Sequence, residues 1–134
     1  MKKNKIVVLT HGQFGQSLID SAAMIIGQLE NVVFEGLQSD DTPESFRERV
    51  TDKINSKTDN VLFLVDLYGG TPFHIASYFL KDVDGQVLTG VNLPMLIESY
   101  TQFIQSEKHD IEDLINVSQE GIRYIDKKIL LGGN

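Results

Sequence analysis

Four short runs of consecutive apolar residues punctuate the chain: Ile6–Thr10, Val32–Gly36, Val61–Val65 and Val87–Val91. Runs without polar alternation suit strands covered on both faces, the condition of a parallel sheet between two helix layers. The stretches between them carry another period. Phe14, Leu18, Ala22, Ile25 and Leu29 fall at helical spacing, as do Phe46, Val50 and Ile54, then Leu96, Tyr100 and Phe103. A last helix is marked by Ile111, Leu114, Ile115, Ser118, Ile122 and Ile125. Thr42-Pro43-Glu44-Ser45 is a helix start, with Thr42 as N-cap and Pro43 in the first helical position, and Asp110 is placed to cap the last helix. Strands and helices in this alternation predict a doubly wound α/β domain, an open sheet with helices on both faces.

Two of the runs end on reactive side chains. Ile6–Thr10 leads into His11, and Val61–Val65 leads into Asp66. In the flavodoxin-like strand order 2-1-3-4 the first and third strands are neighbours, and ligands bind where their carboxyl ends meet. That order predicts His11 beside Asp66. An imidazole is nucleophilic near neutral pH, and a carboxylate accepting Nδ1–H leaves Nε2 to attack. Glycines follow both residues: Gly12 and Gly15, then Gly69 and Gly70. Thr71 as N-cap and Pro72 as first helical residue would aim free N–H groups and the positive helix end at an anion. Gly12-Gln13-Phe14-Gly15 is expected to open the first helix in the same way. Each glycine loop by itself also reads as a tight strand-to-helix turn. Together with the His/Asp pair they suit a phosphoryl group carried on His11.

Other chemistries lack their residues. The chain has 134 residues, enough for one domain over 1–134 with its own core. A formal net charge of -7 disfavours nucleic acid and suits a basic protein partner. Without cysteine there is no disulfide or thiolate metal site, and the cytoplasm is the expected compartment. His11, His74 and His109 share no short ligand spacing, so no metal is expected. Neither nucleotide-binding glycine pattern occurs, so no cofactor is expected and the phosphoryl donor should be a protein rather than ATP. The serines lack a G-x-S-x-G elbow. His74, His109 and the Asp40-Asp41 pair read as solvated surface. Leu93 and Met95 are candidates for an apolar rim facing a partner, and Leu96 for the core. The apolar tail Ile129-Leu130-Leu131 suggests a short terminal strand, packed across a dimer.

Three segments resemble the enzyme IIA component of the mannose-family sugar phosphotransferase system. They are Thr10-His11-Gly12, the stretch from Phe63 through Asp66 and Gly69-Gly70-Thr71-Pro72 to Phe73, and Gly90 through Asn92-Leu93-Pro94-Met95 to Glu98. The resemblance covers nearly the whole chain and implies a phosphotransferase. His11 would accept a phosphoryl group from the carrier HPr and pass it to a IIB subunit, feeding sugar uptake through membrane IIC and IID components. Asp66 would hydrogen-bond His11, and Thr71 would lie at the phosphoryl site. The implied fold is a mostly parallel sheet with an antiparallel edge strand exchanged in a homodimer, and Ile129–Leu131 would be its counterpart. Where the family often has asparagine after Pro-Phe, this chain has His74. The absence of a following IIB segment reads as a stand-alone IIA subunit. Three alternatives stay open on the residues: the phosphotransfer subunit of a dihydroxyacetone kinase, a regulatory domain that senses phosphorylation without passing it on, and a flavodoxin-like small-ligand domain.

Overall fold

Alternate residues of the central strands face opposite ways, and both sets are sealed from water. In the computed structural model, which describes residues 2–133, Ile6, Val8, Leu62 and Leu64 enter one core while Val7, Leu9, Val61, Phe63 and Val65 enter the other. The strands are β1 (Lys3–His11), β2 (Val32–Leu37), β3 (Asp59–Val65) and β4 (Asp84–Leu88). All pairs are parallel and the order is β2-β1-β3-β4. The predicted architecture and strand order are therefore those observed.

Helices α1 (Phe14–Ile26), α4 (Leu93–Ser99) and α5 (Ile111–Glu120) cover the first face, closed by Ala22, Met95, Leu96, Tyr100, Phe103 and Leu114. Helices α2 (Pro43–Thr51) and α3 (Thr71–Phe79) cover the second, through Phe46, Val50, Ile75 and Ala76. Burying each large side chain contributes about 1.5–3 kcal/mol, which is what holds the two layers to the sheet. The cap of α2 is as expected: Thr42 accepts from Ser45 N and the Ser45 hydroxyl accepts from Thr42 N, a reciprocal box. Asp110 caps α5 by accepting from Asp113 N.

Several boundaries differ from the expectation, each for a local reason. The fourth strand lies at Asp84–Leu88 rather than Val87–Val91, because Gly90 at φ 74° turns the chain after Leu88. Its start is polar because an edge strand is covered less than a central one. Helix α1 stops at Ile26 because Gly27 takes φ 84°, so Leu29 packs from the following loop. Helix α5 stops at Glu120, leaving Ile122 and Ile125 outside it and exposed. Tyr100–Gln105 is a π-helical segment, which a search for α-helical spacing does not distinguish. Ile129–Leu131 is not a strand in this chain. Lys127–Leu130 forms one helical turn, α6, capped by Asp126, whose carboxylate accepts from Ile129 N. No antiparallel strand occurs among the described residues; a strand needs a partner edge, and this tail meets none within its own chain.

Candidate active site

The register of the sheet decides what meets at its carboxyl edge. Leu9 pairs with Val65 and His11 with Leu37, so the chain emerging from β1 is flanked by the end of β3 and the end of β2. Asp66 follows Val65 directly. Its Oδ2 lies 2.9 Å from His11 Nδ1 and accepts the His11 backbone N–H at the same distance. One carboxylate oxygen thus holds both the ring and the main chain of His11. The Asp66 side chain is 14% exposed and the His11 side chain 49%, so the carboxylate is largely covered while the imidazole is open to solvent. Asp66 Oδ1 is buried with no hydrogen-bond partner among the described residues.

The far edge of the ring faces Gly70. A Cβ built there would lie 3.1 Å from His11 Cε1 and 3.6 Å from Nε2, so this position keeps the nucleophilic edge clear. Gly69, at φ 87°, makes the turn that brings Gly70 in. The helix cap is Gly70 and not Thr71: Gly70 is extended, its carbonyl accepts His74 N, and Thr71 and Pro72 are the first two helical residues. The threonine hydroxyl therefore makes no cap bond. Among the described residues the N–H groups of Thr71 and Phe73 meet no acceptor within the chain.

The loop after His11 behaves differently from its expected role. Gly12 N–H donates to Leu37 O at 2.8 Å, and Gly15 N–H donates to the Thr10 hydroxyl at 2.9 Å. Gly12, at φ 55°, gives the turn and space rather than a donor. A second wall that residue-type reasoning missed comes from β2: His11, Gly12, Leu37, Gln38 and Ser39 line an open cleft of about 440 Å³. Nothing in the local sequence of Gln38-Ser39 suggests it; the sheet register does.

The remaining candidates separate. His74, in the first turn of α3, is exposed, with its ring edge-on to Phe73 at 5.3 Å between centroids. His109 is exposed and lies against Phe103. No group of three potential metal ligands occurs among the described residues. Leu96 is core, and so is Met95, at 4% exposure, so Met95 offers no rim; Leu93 is partly buried. Leu67 and Tyr68, which follow Asp66, are instead the exposed apolar side chains next to the pair. Asp40 is exposed, whereas Asp41 is not a solvated residue: Arg49 grips both of its oxygens, at 2.7 and 2.6 Å.

Residues 5–117 match the family model described as PTS system fructose IIA component. A mannose-specific EIIAB component from Escherichia coli is 33% identical over 92% of this chain, which spans 40% of that protein's length. A fructose-specific EIIA component from Bacillus subtilis is 32% identical over 83% of this chain and 76% of its own. Among solved structures, a PTS IIA protein associated with the fucose utilization operon of Streptococcus pneumoniae superposes with a TM-score of 0.80 at 26% identity, covering 98% of both chains. No helix among the described residues is long and apolar enough to cross a membrane.

Proposed function

The chain belongs to the PTS system fructose IIA component family, and we propose that it serves as a phosphoryl carrier on His11 for sugar uptake. One observation supports this above the rest: Asp66 occupies Nδ1 of a half-exposed ring, while the Nε2 edge is flanked by Gly70, which has no side chain to cover it. With Nδ1–H donated to the carboxylate, the ring's lone pair is on Nε2. That pair attacks the phosphorus of an incoming phosphohistidine. The P–Nε2 bond forms as the donor's P–N bond breaks, and the bonding electrons leave with the donor imidazole. Nδ1–H stays in place, the His11 ring becomes cationic, and Asp66 offsets its charge. The phosphoryl oxygens meet the Thr71 and Phe73 N–H groups and the positive end of α3. The second transfer is the same step with the acceptor's nucleophile attacking.

The donor in this reading is the phosphohistidine of HPr and the acceptor a IIB subunit, coupled to membrane IIC and IID components, all at the cytoplasmic side. The proposal takes 1–134 as one IIA domain. It includes a homodimer, which would cover the exposed apolar tail from Ile122 to Leu131. Incubation with phosphorylated HPr should place one acid-labile phosphate on the wild-type protein and none on His11→Ala. Label retained by that variant refutes the site. Transfer onward to a dihydroxyacetone kinase, and to no IIB subunit, reassigns the acceptor.

A further inference from the structure

Arg49 makes more contacts than a surface arginine on a short helix needs. Its Nη1 and Nη2 form a fork on Asp41, at 2.7 and 2.6 Å. Nη2 also donates to the Gly36 carbonyl at 3.1 Å, and Nε donates to Glu35 Oε1. One planar guanidinium therefore joins Glu35 and Gly36, near the end of β2, to Asp41 in the loop that leads to α2. Asp41 in turn accepts Gln38 N at 2.7 Å and the Ser45 hydroxyl at 2.7 Å. The arginine fork, the Gln38 N–H and the Ser45 hydroxyl hold the Asp41 carboxyl far below the usual carboxylate range. The clamp stays ionised wherever the protein is folded and near neutral pH.

What this clamp holds is the side of β2 nearest to His11. Gly36 pairs with Thr10 and Leu37 with His11. Leu37 O accepts Gly12 N. A Cβ at Gly36 would sit 2.1 Å from Gly12 O, so the two backbones are in direct contact with no slack. A shift at the end of β2 cannot be absorbed before it reaches the turn that carries the imidazole. Beyond Leu37, Gln38 and Ser39 form the wall of the cleft beside His11, and Gln38 is tied to Asp41 through its N–H and to Gly36 through its side chain at 3.2 Å.

We propose that Arg49 is a positioning residue for phosphoryl transfer at His11, holding the Gln38–Ser39 turn, through Asp41 and the Gly36 carbonyl, as the second wall of the cleft. The proposal rests on His11 being the phosphoryl carrier. Its effect is on geometry at the reacting centre: the wall faces the open side of an imidazole whose other edge is bounded by Gly70. Misplacement of about 1 Å at a reacting centre costs on the order of 10²-fold in rate. A lysine keeps the charge but cannot make the fork.

The test is a rapid-quench comparison of wild type, Arg49→Lys and Asp41→Asn, with phosphorylated HPr as donor and thermal unfolding measured alongside. Arg49→Lys should fold and lose about tenfold or more in the maximal transfer rate, with the KM for the donor within about threefold. A role in stability alone would leave the maximal rate of the folded protein unchanged. Asp41→Asn, which removes the charge but not the volume, should lose rate in the same direction and keeps the test decisive if Arg49→Lys does not fold. Wild-type transfer by the folded variants overturns the proposal and leaves the His11 reading intact. A wild-type protein that accepts no phosphoryl group removes that reading, and this inference with it.

Discussion

Replacing Asp66 with asparagine isolates the electrostatic part of the mechanism. The His11 backbone N–H and Nδ1 share a single oxygen of Asp66. The backbone N–H is a donor in every state, so in Asp66→Asn it selects the amide oxygen for that position and turns the amide nitrogen toward the buried Oδ1 site. Nδ1 still meets an acceptor, and the tautomer is kept. What disappears is one negative charge 2.9 Å from a ring that, in the proposed mechanism, becomes positive on phosphorylation. At that separation a unit pair is worth about 1.4 kcal/mol in a dielectric of water and about 6 kcal/mol at an effective dielectric of about 20. The pair lies between these limits, since the carboxylate is largely covered and the imidazole half-exposed. A loss of about 3 kcal/mol corresponds to a transfer rate lower by on the order of 10²-fold. The amide nitrogen in a buried place without an acceptor adds a cost to folding of about 1–3 kcal/mol, to be followed separately by thermal unfolding. The assay is single-turnover transfer of labelled phosphate from phosphorylated HPr to the variant, with circular dichroism confirming the fold. A folded Asp66→Asn protein within threefold of the wild-type rate would refute the charge argument and leave Asp66 as a mere anchor of the turn.

Two further outcomes follow from the structure. Gly70→Ala places a methyl 3.1 Å from His11 Cε1, while the backbone there, at φ -80°, accepts alanine without strain; transfer should fall by about tenfold or more with little change in the unfolding temperature, and an unaltered rate excludes Gly70 as the boundary of the nucleophile. Burial pushes the Asp59 carboxyl up, but the Asn55 N–H, the Lys5 ammonium and the charge of Lys3 outweigh it and leave it below its ordinary value. Its contribution to stability is then complete above the unfolded pKa of about 3.9 and is lost as pH falls through the lower native value. The stability gap between wild type and Asp59→Asn, measured by urea unfolding, should narrow below about pH 4, and a gap that stays constant assigns the acid loss elsewhere.

The site was legible where chemistry and sheet order coincide, and obscure where it is built by packing. Apolar runs identify central strands because β1 and β3 are covered on both faces, and one topological rule then puts His11 beside Asp66. The same rule says nothing of Gln38, Ser39 or Arg49. Asp40-Asp41 looks like an ordinary solvated turn because the partner of Asp41, Arg49, lies eight positions on, in the last turn of α2. Gly12 and Gly15 look like oxyanion donors because glycine loops often are. Their N–H groups are consumed by Leu37 and Thr10, partners that only the folded register supplies. The strand expected at Ile129–Leu131 rests on apolarity and on the family resemblance, and neither chooses, for this chain by itself, between a strand with a partner and a capped helical turn without one.

These committed donors also bear on what kind of site this is. An enzyme acting on a small molecule encloses it, and two grooves larger than the cleft at His11, about 490 Å³ beside Arg47, Ile54 and Tyr78 and about 470 Å³ among Tyr68, Phe73, Met95 and Ile122, do not include His11. The imidazole stands instead at an open edge, half-exposed, with exposed Leu67 and Tyr68 following Asp66. The proposed role requires this: a residue reached in turn by two proteins would have to be open to solvent, and a phosphoryl group that is to leave again could not be held by many strong donors. Binding the intermediate as tightly as the transition state lowers its energy and slows its departure. In the proposed relay, a single carboxylate on the ring, two uncommitted N–H groups at the start of α3 and a glycine at the ring's edge would stabilise the charge that develops during transfer without trapping the product. On this argument the sparse donor set is a property that phosphoryl relay requires, and a site with every surrounding N–H aimed at the phosphate would relay more slowly.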